Sequence, residues 1–266
     1  MSLPAPTPTA RAVVTGASSG IGEALAEGLA RQGHSLILVA RRADRLRALA
    51  DRLSGSYRVA AEIRAVDLSD RDARAKLCAE LSEREITVLC NNAGFATYGE
   101  LAQADPARER QQVELNCVAM HDLTLAVLPG MVHRDAGAIL ITGSTAGNQP
   151  GPGNATYAAG KAFANTLAES LHGELAGTGV RCTLLAPGPV RTEYAEVAGV
   201  PKLDTMLPAL CWVSAERAAA EALSGLADGR RRVVPGVFAK VQTFCGQYTP
   251  RALISPLVRA VYRRVQ

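Results

Sequence analysis

The stretch Ala12-Val-Val-Thr-Gly-Ala-Ser-Ser-Gly-Ile-Gly22, written AVVTGASSGIG, decides how the rest of the chain is read. An apolar run of strand length, residues 12–15, enters a turn with glycines at 16, 20 and 22 and continues into a segment of helical period, residues 20–32. A strand, a glycine turn and a helix in that order aim several backbone N–H groups and the positive end of the helix dipole at one point, where a pyrophosphate can sit. Gly16, Gly20 and Gly22 let the chain approach such a ligand closely, and Ser18, Ser19 and Ile21 complete the turn. The two serines either touch phosphate or simply favour the turn. The spacing G-x-x-x-G-x-G contains no lysine, which disfavours a phosphate-loop NTPase.

Outward from this turn, short β-branched or leucine-rich runs alternate with longer segments of helical period. Strands are expected at 12–15, 36–40, 59–66, 87–91, 138–142, 180–185 and 232–234, and helices at 20–32, 43–53, 71–84, 106–132, 154–176 and 215–227. That alternation predicts an α/β fold, a doubly wound, Rossmann-like parallel sheet of about seven strands with helices on both faces. The chain of 266 residues suits a single catalytic domain over 11–235. Within it, residues 187–213 form a connection longer than two elements need, and such loops are usually functional.

The end of the second strand reads Ala40-Arg41-Arg42. A carboxylate at that point would bind the ribose 2′-hydroxyl of NAD, whereas arginine suits a 2′-phosphate through forked, charge-assisted hydrogen bonds. Arg41 and Arg42 therefore point to NADP in preference to NAD. The alternative is a pair of solvated arginines with Asp44 as local partner.

The formal charge of +4 is too small to argue for nucleic-acid binding. The opening MSLPAPTPTAR holds no apolar run of the kind a signal peptide or membrane span needs, which makes a cytoplasmic location the expectation. Cys78, Cys90, Cys117, Cys182, Cys211 and Cys245 show no CxxC pair and read as small buried hydrophobes. His34, His121, His133 and His172 have no metal-ligand spacing and read as helix-surface or helix-end residues, so no metal site is expected. The segment 71–85 reads as a solvated helix face.

The stretch Tyr157-Ala-Ala-Gly-Lys161 places a phenol and an ammonium four residues apart, on one face of a helix. A cation there favours the phenolate and brings a tyrosine, which ordinarily titrates near about 10, closer to working pH. Ser144 follows the fifth strand and Tyr157 opens the next helix, so both fall at the carboxyl edge of a parallel sheet, where ligands bind in such folds.

Taken in order, TGASSGIG, Asp67-Leu68, Asn91-Asn92-Ala93-Gly94, Ser144, YAAGK and Pro187-Gly-Pro-Val-Arg-Thr192 resemble the short-chain dehydrogenase/reductase family, in its simple single-domain branch, over residues 11–235. The resemblance implies an oxidoreductase that interconverts a carbonyl and an alcohol. It implies Tyr157 as acid/base, Lys161 on the nicotinamide ribose and Ser144 on the substrate oxygen. Asn116 would steady a water leading to Lys161. Asp67 and Leu68 would border the adenine, Asn92, Ala93 and Gly94 the adenosine ribose, and Pro187, Val190 and Thr192 the nicotinamide amide. A homodimer or homotetramer built through the helices at 106–132 and 154–176 is the family expectation. The competing class is a nucleotide-sensing protein that keeps the fold without turnover, against which the intact Ser144, Tyr157 and Lys161 weigh.

Tyr194, Val197, Val200, Leu203, Met206, Leu207, Leu210 and Trp212 in the long connection favour a lipophilic small-molecule substrate, unless they only pack that segment on the body. Phe95, Tyr98, Gln149 and Asn154 are candidate walls. Residues 236–266 read as a basic tail, since no acidic residue follows Asp228 while Arg251, Arg259 and Arg263 flank an apolar stripe within 250–264. A basic amphipathic segment of this kind suits peripheral contact with an anionic membrane, capping of the cleft or a subunit contact.

Overall fold

The leucine, isoleucine and valine runs on either side of the glycine turn lie side by side in the computed structural model, which describes residues 3–193, 208–250 and 252. The strands are β1 (Arg11–Thr15), β2 (Leu36–Ala40), β3 (Ala61–Ala65), β4 (Ile86–Asn91), β5 (Gly137–Thr142), β6 (Val180–Leu185), β7 (Val190–Arg191), β8 (Val213–Ser214) and β9 (Arg232–Val233). Seven of them form one sheet in the order β3-β2-β1-β4-β5-β6-β9, every neighbouring pair parallel. The other two, β7 and β8, pair with each other.

Helices cover both faces: α1 (Gly20–Arg31), α2 (Ala43–Tyr57), α3 (Arg71–Ser82), α4 (Pro106–Val113), α5 (Met120–His133), α6 (Ala155–Glu174), α7 (Ala215–Ala227) and α8 (Val237–Tyr248). Successive strand residues point to opposite faces, which divides the core in two. Val14, Leu36, Leu38 and Leu140 pack with Leu25 and Leu29 of α1, Leu46 and Leu53 of α2, and Leu223 and Leu226 of α7. Val13, Ile37, Val39 and Ile139 pack with Leu81 of α3, Leu123 and Met131 of α5 and Leu171 of α6. The doubly wound parallel sheet is thus the architecture that the alternating pattern predicted.

From β1 the chain steps to β2 and β3 on one side, then returns to place β4 on the other. The carboxyl ends of β1 and β4 consequently flank a topological switch point, the place where ligands bind in open α/β sheets. Three helix starts carry their own side-chain caps. Asp70 accepts from Ala73 N at the start of α3, Asp105 from Ala107 N before Pro106 of α4, and Ser214 from Arg217 N at α7. The start of α1 differs, because neither hydroxyl group of Ser18 or Ser19 caps it.

Several expectations are corrected. The helix read as 106–132 is interrupted by a π-helical turn, Glu114–Ala119, between α4 and α5. The strand read as 59–66 pairs only over Ala61–Ala65. His34 lies at the end of α1, as one of the two readings had it, but is buried there and not exposed; burial holds its imidazole below its ordinary pKa. The helix face of α3 is not wholly solvated, since Arg74 is 3% exposed and pairs with Glu114 at 3.0 Å and Asp122 at 2.8 Å. Cys90 and Cys182 are buried, but Cys245 is exposed. Of the segment read as a tail, Val237–Tyr248 forms α8, which packs on the body through Thr145 Oγ1, donating to Gln242 Oε1 at 2.9 Å. The amphipathic stretch 250–264 lies, except for Pro250 and Ala252, outside the described residues. The composite helix Pro106–His133 is long and apolar enough to cross a membrane by length and composition. Met120, Leu123, Val127 and Met131 account for much of that apolarity by packing in the core.

Candidate active site

The glycine turn closes on itself. Gly16 has φ +68° and Gly20 φ +57°, a region that favours glycine. A Cβ at Gly22 would stand 2.2 Å from Gly16 O, and one at Gly20 would stand 2.8 Å from Thr192 Cγ2. Thr192, which follows β7, therefore sits directly on the turn. The open start of α1 leaves its first N–H groups without a side-chain cap, which fits an anionic ligand at this point. These features suit the pyrophosphate cradle expected of Gly16, Ser18, Ser19, Gly20, Ile21 and Gly22.

The neighbouring strand ends are locked to the turn. Thr15 Oγ1 accepts from Asn92 N at 2.9 Å and from Ala93 N at 3.0 Å, while Asn92 Nδ2 donates to Thr15 O at 3.1 Å. Asp67 folds back, its carboxylate accepting from Ser69 N and Ser69 Oγ, and Arg74 holds Leu68 O at 2.9 Å. At the end of β2 the two predicted arginines part. Arg41 is exposed, whereas Arg42 donates to Ser18 Oγ at 3.0 Å and Ser19 Oγ at 2.8 Å, across the mouth of the turn.

At the carboxyl ends of β4 and β5 the polar groups converge. Lys161 is 6% exposed, and its ammonium donates to Thr142 O at 2.8 Å. Its Nζ lies 5.7 Å from the centroid of the Tyr157 ring, so the two side chains share one face of α6. No carboxylate among the described residues pairs with it, and burial lowers its pKa from the ordinary 10.5 to about 8. Gly94 lies beside it, since a Cβ there would come within 3.5 Å of Lys161 Nζ and 2.9 Å of Asn116 Oδ1.

Asn116 stands inside the π turn, which is why its side chain leaves the helix toward the sheet edge. It clasps Phe95, accepting from Phe95 N at 3.2 Å and donating to Phe95 O at 2.8 Å. Such turns recur at functional sites.

Ser144 is buried and caps the short 3-10 turn Thr145–Asn148, with its Oγ accepting from Ala146 N at 3.1 Å. That acceptance occupies a lone pair and leaves the hydroxyl proton to be donated; the Pro187 O contact at 3.5 Å is too long to hold it firmly. Pro187 follows β6, and Val190 lies in the small β7–β8 ladder.

Among the candidate walls, Phe95 is buried under the Arg108 guanidinium at 4.0 Å, and Asn154 is buried with its Nδ2 on Thr97 O. Neither is a free wall. Gln149 faces Gly246 of α8. Tyr194, Val197, Val200, Leu203, Met206 and Leu207 lie outside the described residues, while Leu210 is exposed and Trp212 stacks beside Arg191.

Three contributors escaped the sequence reading. Thr15 was visible in the glycine motif but carried no assigned role. Asn165, one turn beyond Lys161, clamps the Ser144 backbone, accepting from Ser144 N at 3.2 Å and donating to Ser144 O at 3.0 Å. Glu193 pairs with Arg42 at 2.9 Å and with Arg45. Among the described residues no cluster suited to a metal ion occurs.

The family model described as short chain dehydrogenase matches residues 10–199. Sulfoacetaldehyde reductase 2 of Chromohalobacter salexigens is 40% identical over 70% of this chain and 74% of its own length. Of solved structures, a short-chain dehydrogenase from Sphingobium yanoikuyae in complex with NADPH superposes with a TM-score of 0.82 at 34% identity, covering 92% of this chain and 94% of that one. The bulky-bulky ketone specific alcohol dehydrogenase from Comamonas testosteroni gives a TM-score of 0.78 at 29% identity, over 96% and 95%. The chain belongs to the short-chain dehydrogenase/reductase family. It is an oxidoreductase acting on CH–OH groups.

Proposed function

We propose that this enzyme is an NADP-dependent reductase of a lipophilic carbonyl compound, working in either direction through Ser144, Tyr157 and Lys161 with Asn116 in support. The observation that carries the reading is the buried, carboxylate-free ammonium of Lys161 beside the Tyr157 ring, at the sheet edge next to the glycine turn. A nicotinamide dinucleotide held at that edge would supply the hydride. In the reductive direction Tyr157 gives its phenolic proton to the carbonyl oxygen, and Ser144 donates a hydrogen bond to the same oxygen as charge develops on it. Lys161 stabilises the phenolate that remains, because an ammonium in a poorly solvated site acts strongly on a neighbouring anion. Asn116 fixes the Phe95 backbone and so the shape of the edge beside Lys161.

Arg42, laid across Ser18 and Ser19, supports the NADP preference, as does the NADPH complex of the Sphingobium protein. The reading of a lipophilic substrate is supported by α8. That helix packs on the turn following Ser144 and presents Val237, Val241, Phe244 and Tyr248 to solvent beside it. Exposed Leu125, Val132 and Phe163 on α5 and α6 support a homo-oligomer.

The test is a panel of carbonyl compounds followed by NADPH absorbance, with NADH in parallel. Bulky aryl or alkyl ketones are expected to turn over with NADPH at least about tenfold more efficiently than short polar aldehydes, the discrimination that one or more buried methylenes supply. Preferred turnover of small anionic aldehydes, or equal use of NADH, would overturn it.

A further inference from the structure

Arg42 and Arg45 are already occupied by a carboxylate of the chain itself. Arg42 Nη1 donates to Glu193 Oε2 at 2.9 Å, and Arg45 Nη1 donates to Glu193 Oε1. The partners are distant in sequence: Glu193 follows Thr192, which sits against Gly20, while both arginines lie at the end of β2 and the first turn of α2. The remaining N–H groups of Arg42 reach Ser18 and Ser19. A forked anion thus lies between two guanidinium groups at the rim of the pyrophosphate cradle. From this geometry we infer that Glu193 is a built-in competitor for the cofactor's 2′-phosphate, held in its place by Arg42 and Arg45.

The inference rests on the NADP reading above. A phosphate monoester brings a charge of about −1.5 to −2 and three acceptor oxygens, against one charge and two oxygens for the carboxylate, and so can displace it. A 2′-hydroxyl brings no charge and leaves Glu193 in place. NADP(H) binding therefore bears the loss of two ion pairs that NAD(H) binding does not. Arg45 and Arg42 also hold the Glu193 carboxyl below its ordinary pKa, so the competitor stays ionised throughout the neutral range.

Calorimetric binding of NADPH, NADH and adenosine 2′,5′-bisphosphate to the full chain separates the possibilities. Glu193→Gln should tighten NADPH and the bisphosphate by about two- to thirtyfold, the range that two exposed ion pairs supply, with NADH changed by less than about twofold. Arg45→Met should weaken NADPH and the bisphosphate and leave NADH alone, and the gain from Glu193→Gln should shrink in that background. Glu221→Gln, which removes a carboxylate of α7 paired with Arg217, should leave all three ligands unchanged. Unchanged or equal effects of Glu193→Gln on NADPH and NADH, or a gain undiminished when Arg45→Met is already present, would overturn the inference while the wild type still prefers NADPH. A wild type that binds NADH as tightly as NADPH and ignores the bisphosphate would remove the cofactor reading and this inference together.

Discussion

Lys161 is the residue on which the proposed chemistry turns. Burial disfavours its charged form and brings its pKa to about 8, against 10.5 in the unfolded chain. The sign for stability follows. The penalty for a buried ammonium is complete below pH 8, and between 8 and 10.5 the unfolded chain binds more protons than the folded one, so the wild type gains stability as pH rises. Urea unfolding at stepped pH should show that gain in the wild type and not in Lys161→Met. In catalysis the same titration removes the cation, and kcat/KM for NADPH, which reports the cofactor-free enzyme, should fall above about pH 8. A flat profile up to about pH 10 would mean that the ammonium is not needed. The pairing of Tyr157 with Lys161 was legible in the sequence because i and i+4 share a helix face. The clamp of Asn165 on Ser144 was not, since an amide that bonds to another element's backbone leaves no spacing to read. Arg45 and Glu193, 148 positions apart, were hidden for the same reason.

At the scale of elements, strands that are apolar throughout were legible almost to the residue, as in β2, where all five residues are buried. The edge strand β3 was overextended: Val59 and Val66 are β-branched residues at its ends that fall outside the register of Ala61–Ala65, although Val66 N still donates to Ala40 O at 2.9 Å. The π turn was invisible, as one extra residue per turn barely alters hydrophobic period. Helix α8 was absorbed into the tail because its apolar residues are mostly on the exposed face. The edge at β3 is closed by charge. Glu62 accepts from Arg84 at 2.6 Å, Arg11 at 2.9 Å and Arg64 at 3.1 Å, and charged side chains on an edge strand discourage pairing with other chains. Arg84 foremost, then Arg11 and Arg64, hold the Glu62 carboxyl at about 2. A depressed carboxylate contributes stability that is whole above its ordinary 4.5 and is lost as pH falls toward 2. Glu62→Gln should lower stability at neutral pH by about 1 kcal/mol after solvent screening and flatten the decline between pH 4.5 and 2 in thermal melts. An unchanged acid profile would show that the network does not stabilise the fold.

For the whole molecule, the parallel sheet brings residues from separate connections to one edge, and the order of the strands puts the glycine turn and the Tyr157–Lys161 pair on that same edge. The fold was legible because alternation of strand and helix leaves few topologies, whereas the substrate was not, because its walls come from segments packed together only in three dimensions. The decisive measurement compares Tyr157→Phe with wild type in NADPH binding and in reduction of a substrate from the panel. The phenyl ring keeps its place over Lys161 but has no proton to give, so the dissociation constant for NADPH should stay within about threefold while turnover falls at least about a hundredfold. Retention of turnover with intact binding would show that the phenol is not the proton donor.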